Sequence, residues 1–343
     1  MKKKKTAKRK DAKTVRLGLI GAGGISGAHI NAVNKIEGAK FVAVCDLREK
    51  AARERAKLAG GAKVYTNYEK MLDREELDAV YICTPPTVRR GPIEAAVERG
   101  LPVFCEKPAA NSVETAREIS DFIERRRGGV TVGYVLRHME IVGRLMELLA
   151  DDRIAIISSR YVCPVTLNYI EGNPAALWFY KMEISGGPIM DQATHSMDLI
   201  RYYAGEVAEI ATFGTNKFLE KSEDYTVEDS YAVAMRLTNG AAATHAHTWA
   251  HARWGHTHAI FGAKRAYLLD IVDGSLTVTE GAIETIFKPA EDIFFSQAAR
   301  FVEMVALGDF SASRSTYADA TRTLLLTVRC LDSMNARSFV AVE

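Results

Sequence analysis

The chain has 343 residues, 48% of them hydrophobic and 26% charged, which fits about two globular domains and excludes a disordered protein. Net charge is +2, yet residues 1–13 hold eight Lys/Arg and one Asp, so the remaining residues sum to −5. A mildly acidic body argues against a nucleic-acid groove as the main business of the fold, and no apolar run approaches the ~18 residues of a membrane helix.

The basic run 1–13 has no apolar stretch of the secretory-signal kind and reads as a solvated, disordered tail. Contact of that tail with RNA or anionic lipid would be non-specific. The five cysteines form no CxxC, and Cys45, Cys83 and Cys105 each end an apolar run. They read as free, buried thiols in a reducing, cytoplasmic setting.

From residue 14 to residue 134, short apolar runs alternate with helical patterns. Strands are expected at Val15–Ile20, Phe41–Cys45, Val64–Tyr65, Ala79–Cys83, Val103–Cys105 and Val130–Tyr134. Helices are expected near Gly24–Ile36, Arg48–Ala59, Asn67–Leu72, Pro92–Arg99 and Val113–Arg127, with a further one at Met139–Leu149. Continuous apolar strands alternating with helices predict a parallel sheet covered on both faces, doubly wound in the order 3-2-1-4-5-6. The turn after the first strand reads Gly21-Ala22-Gly23-Gly24-Ile25-Ser26, with Ser26 where a third glycine would stand. Gly21 permits a tight turn, Gly23 lets backbone approach a pyrophosphate, and the helix that follows aims N–H groups at the phosphates. Asp46, 23 residues after Gly23 at the end of the second strand, is placed to accept ribose hydroxyls. Its charge favours NAD over NADP, although Arg48 offers a partner for a 2′-phosphate and leaves NADP open.

Residues 135–343 read differently. Strands are expected at Ile154–Val162, Glu209–Asn216, Tyr231–Leu237, Ala241–Trp249, Thr257–Phe261, Ala266–Ile271, Ser275–Thr279 and Ala282–Phe287, with an Asn239-Gly240 hairpin. Helices are expected near Gln192–Tyr203, Phe294–Leu307 and Tyr317–Met334. This half is thus an α/β domain built on a mostly antiparallel sheet.

Three further segments carry a known pattern: Cys83-Thr84-Pro85-Pro86, Cys105-Glu106-Lys107-Pro108, and Ser185-Gly186-Gly187-Pro188-Ile189-Met190-Asp191-Gln192-Ala193-Thr194-His195. With the glycine loop they resemble the glucose–fructose oxidoreductase / inositol dehydrogenase (Gfo/Idh/MocA) family over roughly residues 14–343. The resemblance implies a Rossmann domain over 14–134 and, over 135–343, a substrate and oligomerisation domain with a large open-faced sheet. It implies a nicotinamide cofactor held by Gly21, Gly23, Gly24, Ile25, Ser26, Asp46, Arg48, Thr84, Pro85, Pro86, Glu106 and Lys107. The catalytic set it implies is Lys107, Asp191 and His195. The histidine that the family commonly has a few residues after the TPP turn is absent, with Arg89 near its place.

The residue types suit that chemistry. Lys107 follows the fifth strand, at the carboxyl edge where doubly wound sheets bind ligands, and can stabilise a developing alkoxide. Asp191 and His195 stand four apart, on one face of a helical turn, and an imidazole there can take a hydroxyl proton as hydride departs. Asp198 can brace His195 or face water. Tyr134 and Arg137 follow the sixth strand, Arg160 and Tyr161 lie on the next strand, and Trp178 and Tyr180 precede the double glycine; Tyr134, Arg137, Tyr161, Trp178 and Tyr180 are the substrate-contact candidates. His29 reads as helix packing behind the glycine loop.

The histidines at 245, 247, 251, 256 and 258 invite a metal reading, but neither a third ligand at firm spacing nor a water-activating acid is evident, so no metal is expected. The alternation His245, His247, Trp249, His251, Arg253 predicts an uncovered aromatic stripe on the sheet and a homodimer or homotetramer formed across it. The function expected is hydride transfer between NAD(P) and a secondary alcohol of a sugar, sugar derivative or cyclitol. The alternatives are an oxidation–elimination glycosidase using catalytic NAD and a ligand-sensing regulator without turnover.

Overall fold

In the computed structural model, residues 14–172 and 177–342 are described; the basic run 1–13 and the side chain of Trp178 lie outside the described residues. The first half runs β1 (Val15–Ile20), α1 (Ser26–Val33), β2 (Ala39–Cys45), α2 (Glu49–Leu58), β3 (Lys63–Tyr65), α3 (Tyr68–Arg74), β4 (Ala79–Ile82), α4 (Arg90–Glu98), β5 (Val103–Cys105), α5 (Val113–Arg126), β6 (Val130–Val132) and α6 (Glu140–Leu149). The six strands form a parallel sheet in the order β3-β2-β1-β4-β5-β6, as expected from the alternation. Strands β4, β5 and β6 are buried throughout, because helices cover both faces; that is why they read as unbroken apolar runs. Side-chain caps start two of the helices: Asn67 accepts from the Lys70 N–H and Ser112 from the Thr115 N–H.

The second half runs β7 (Ile154–Val162), α7 (Val165–Ile170), α8 (Met182–Ser185), α9 (Thr194–Ala204), β8 (Val207–Thr215), β9 (Ser230–Leu237), β10 (Ala242–Thr248), β11 (Gly255–Gly262), β12 (Ala266–Asp270), β13 (Ser275–Glu280), β14 (Ile283–Phe287), α10 (Ile293–Leu307), α11 (Tyr317–Ala336) and β15 (Val340–Ala341). Its nine-stranded sheet has the order β14-β13-β12-β11-β7-β10-β9-β8-β15. Only β7 and β10 pair in parallel; the other neighbours are antiparallel. The β9–β10 hairpin turns at Asn239-Gly240, where the Asn239 carboxamide accepts the Ala241 N–H.

Helices α6, α9 and α11 cover one face of this sheet, and among the described residues the other face is left uncovered. The buried members of β9 and β10 alternate strictly, and His245 and His247 lie on the covered side. The expected uncovered stripe is therefore corrected. His245, His247 and Trp249 point inward, while His251 and Arg253 sit in the exposed loop after β10. The exposed apolar residues of the open face are others: Phe213, Ile156, Phe261, Leu268 and Ile286.

The last helices return to the first sheet. Phe301 of α10 packs edge-on to Tyr81 and Phe104, in a core shared with Leu17 and Leu19. Tyr317, Ala320 and Leu324 of α11 fill the core beside Val103, Cys105 and Val130.

Candidate active site

The glycine loop closes between β1 and β4. Gly21 has φ +96°, and a Cβ there would lie 2.7 Å from the Cys83 carbonyl group, so only glycine fits. Gly23 and Gly24, by contrast, face open space where a Cβ would meet nothing within 4 Å. The Ser26 hydroxyl donates to the Gly23 carbonyl at 2.6 Å, and Arg55 of α2 donates to the same oxygen at 3.1 Å. Together they fix the loop while its outer surface stays clear. Ile25 sits at the N-cap of α1, where the Gly24 and Ile25 carbonyls accept the Gly27 and Ala28 N–H groups at 3.2 and 3.0 Å.

Asp46 stands at the end of β2. Its carboxylate accepts the Ala22 N–H at 2.8 Å and the Arg48 N–H at 2.9 Å. Burial pushes this carboxyl up, but those N–H groups and the Arg48 guanidinium outweigh burial and hold it below the usual range. Asp46 is therefore ionised, at the end of β2 beside the glycine loop. The Arg48 side chain is largely exposed and lies against Asp46 at 3.3 Å.

Thr84, Pro85 and Pro86 form the turn after β4, and the Thr84 hydroxyl is buried with no partner among the described residues. A glycine cradle open at Gly23, an ionised acid at Asp46 and an unpartnered hydroxyl at Thr84 fit a dinucleotide lying along this edge. Glu106 reaches the same edge but turns inward. His29 bonds one oxygen at 2.7 Å and the Lys107 N–H donates to the other at 3.1 Å. Burial raises this carboxyl; the His29 bond and charge, with Lys107 and Arg89, bring it below the ordinary value. His29 thus packs beneath the loop, edge-on to Phe104, and also anchors Glu106.

Lys107 crosses from the first half to the second. Its Nζ donates to the Asp191 carbonyl at 2.5 Å and to Asp191 Oδ1 at 3.2 Å. Asp191 lies in a π-helical turn, Ile189–Ala193, where one α-helix was expected from Gln192 onward. Gly186, at φ +69°, ends α8 and lets Met190 pack where a Cβ would clash, which directs the chain into this turn. His195 follows in the first turn of α9. Withdrawal from water, and then the Lys107 charge, lower its pKa to about 3, so the ring is neutral. Its Nδ1 is buried with no partner among the described residues.

The substrate candidates separate. Tyr134 packs edge-on to His195 and bonds the Thr194 hydroxyl at 3.1 Å. Tyr161 stacks on His256, 4.4 Å between centroids, and burial and nearby acids raise its phenol, which stays protonated. Arg137 is not free for a substrate: its guanidinium is buried and bidentate to Asp198, at 2.7 and 2.6 Å, with a further ion pair to Asp319. That pairing also occupies Asp198, so it neither braces His195 nor faces water. Tyr180 is buried among Tyr169, Tyr225 and Trp249, its hydroxyl on the Val165 carbonyl. The side chain of Trp178 lies outside the described residues.

Two groups were not among the candidates. Gln192 Oε1 accepts from Trp249 Nε1 and from Cys163 Sγ, both at 2.8 Å, and so ties the π turn to β10. The inward histidines form a polar layer beneath α9: Ser196–His256 at 2.8 Å, His256–His258 at 3.2 Å, His258–Tyr203 at 2.9 Å and His245–Ser159 at 2.8 Å. The H-x-H spacing was visible; which face it occupies was not. Among the described residues no group of three or more His, Cys, Asp or Glu could hold a metal ion, and no helix is long and apolar enough to cross a membrane.

Residues 15–134 match the oxidoreductase family with NAD-binding Rossmann fold, and residues 154–267 match the GFO/IDH/MocA C-terminal domain. The chain belongs to this Gfo/Idh/MocA family of NAD-binding oxidoreductases. Among its relatives is the inositol 2-dehydrogenase of Rhizobium meliloti (strain 1021), 30% identical over 234 residues, which span 67% of each chain. The rhizopine catabolism protein MocA of Rhizobium meliloti is 31% identical over 192 residues, covering 56% of this chain and 57% of that protein. The match thus spans little more than half of MocA's length. In fold, the chain is similar to levoglucosan dehydrogenase in complex with NADH and levoglucosan, with TM-score 0.85, 21% identity, and coverage of 96% of this chain and 99% of that one.

Proposed function

We propose that this chain transfers a hydride between NAD and a secondary alcohol of a sugar, sugar derivative or cyclitol. The observation that carries this reading is the meeting of Lys107 with Asp191 beside a neutral His195, at the same sheet edge as the open glycine cradle. The dinucleotide supplies the hydride acceptor. Lys107 hydrogen-bonds the substrate hydroxyl and stabilises the oxygen as it gains negative charge. His195, neutral and adjacent, accepts the hydroxyl proton; Asp191 holds Lys107 in place. The ionised Asp46 supports NAD over NADP by repelling a 2′-phosphate. The names of the relatives, inositol 2-dehydrogenase and levoglucosan dehydrogenase, support a polyol or sugar substrate.

We also propose that two copies associate through the open face of the nine-stranded sheet, in a cytoplasmic setting. Ile156 lies opposite Phe261 across β7 and β11, an apolar pair left in water by the single chain. Incubating the purified chain with NAD and a panel of sugars, sugar acids and cyclitols, and following NADH absorbance, tests the activity. NADH formation that Lys107→Met abolishes is expected; a chain that binds neither NAD nor NADH overturns the reading.

A further inference from the structure

Beyond its charge beside Glu106, Arg89 has had no part in the site, yet it is one of the largest fully buried side chains among the described residues, 2% exposed. It stands at the N-terminus of α4, directly behind the edge where β4 and β5 end side by side, with Ile82 paired to Cys105. Its Nη2 donates to the Thr84 carbonyl at 2.6 Å. Its Nη1 donates to the carbonyls of both Glu106 and Pro108. These acceptors are backbone oxygens, not carboxylates. One guanidinium nitrogen therefore brackets Lys107 from the residue before and the residue after it, while the other grips the neighbouring turn.

Arg89 Nε is buried with no partner among the described residues, so the two Nη groups alone hold the buried charge, and a planar guanidinium directs those donors along fixed lines. The three carbonyls must therefore hold their places relative to one another. That requirement ties the backbone of Lys107 to the Thr84 turn. Lys107 leaves this bracketed backbone to span the gap between the halves and reach Asp191. On the far side of the same loop, the Tyr317 hydroxyl donates to the Ala109 carbonyl at 2.8 Å, so the segment is held at both ends.

We infer that Arg89 is the positioning residue for Lys107: its fork sets the Glu106–Lys107–Pro108 backbone against the Thr84 turn and thereby aims Nζ at Asp191. The inference rests on the reading of Lys107 as an active-site group. Neither glutamine nor lysine at 89 reaches all three carbonyls, so each loosens the bracket, and lysine keeps the buried charge.

The test uses the full chain with Arg89→Gln and Arg89→Lys. Lysine reductive methylation is quantified residue by residue with mass spectrometry, alongside NADH binding by fluorescence. In each folded variant, Lys107 is expected to label several-fold faster than in the unaltered chain, while the exposed Lys57 and Lys70 label at unchanged rates. With a substrate in hand, kcat should fall on the order of 10²-fold, the scale of a ~1 Å misplacement, and KM for NAD should change far less. If Arg89→Gln does not fold, Arg89→Lys decides. Lys107 labelled at the unaltered rate in a folded variant that binds NADH overturns the positioning role alone. An unaltered chain that does not bind NADH overturns the functional reading and the positioning role with it.

Discussion

In the six-stranded sheet the ligand edge is made of backbone: glycine turns, strand ends and the first turn of α1, with Lys107 projecting from it. The nine-stranded sheet contributes side chains from its covered face, where His245, His247, His256 and His258 are buried beneath α9 with serine and tyrosine hydroxyls. The first arrangement suits a ligand recognised by its phosphates, since backbone N–H groups do not depend on which side chains surround them. The second is closed to solvent and acts as support, holding α9, which carries His195, against the sheet through Ser196 and Tyr203. Binding of the dinucleotide and the seating of α9 should then respond to different substitutions.

The sharpest break between the two is expected in catalysis. His195→Ala and Lys107→Met should each lower kcat by about 10²–10⁴-fold, with NADH affinity nearly unchanged in titrations. Because burial and the Lys107 charge lower the His195 pKa to about 3, kcat/KM should show no acidic limb at the ordinary imidazole position; a limb there would assign the proton to another group.

Next in size is the frame between the halves. Arg137→Met leaves Asp198 buried without its bidentate partner, at a cost of about 3–5 kcal/mol in urea unfolding. A loss within error would show that water reaches Asp198.

The histidine layer predicts a pH effect on unfolding, to which His138 and His195, also lowered by withdrawal from water to about 3, add. Burial lowers the pKa of His245 and His258 to about 3, against 6.5 for the free group. The unfolded chain therefore takes up protons below about pH 6.5 that the folded chain refuses, and stability falls as the pH falls. Each ring should cost about 2 kcal/mol on going from about pH 7 to 5, so His245→Gln should flatten the pH dependence of unfolding by that amount. The smallest effect is expected at the glycine edge. Asp46→Ala should weaken NAD by about 1.5 kcal/mol and NADP by less, measured by titrating both; equal losses would remove Asp46 from the discrimination.

The same contrast explains what could be read from the residues alone. Strands such as Val103–Cys105 are apolar on both sides, so the alternation with helices was enough to predict them and their order. In β10, alternation marks two faces without saying which is covered. Polar His245 and His247 were assigned to the open side, and only the packing of α9 reverses that. The π turn at Ile189–Ala193 has no side-chain pattern of its own, and β15, two residues long, is too short for one. Lys107, Asp191 and His195 were named from motifs. The commitment of Arg137 to Asp198 depends on residues 61 apart and leaves no local trace.

The return of α10 to the first sheet bears on the order in which the chain can become folded during synthesis. The core around Leu17, Tyr81 and Phe104 lacks its Phe301 wedge until that residue has left the ribosome. The dinucleotide half is synthesised first, yet its core is completed among the last. A nascent chain stalled before α10 would leave the Tyr81 and Phe104 rings open to solvent on the side that Phe301 covers.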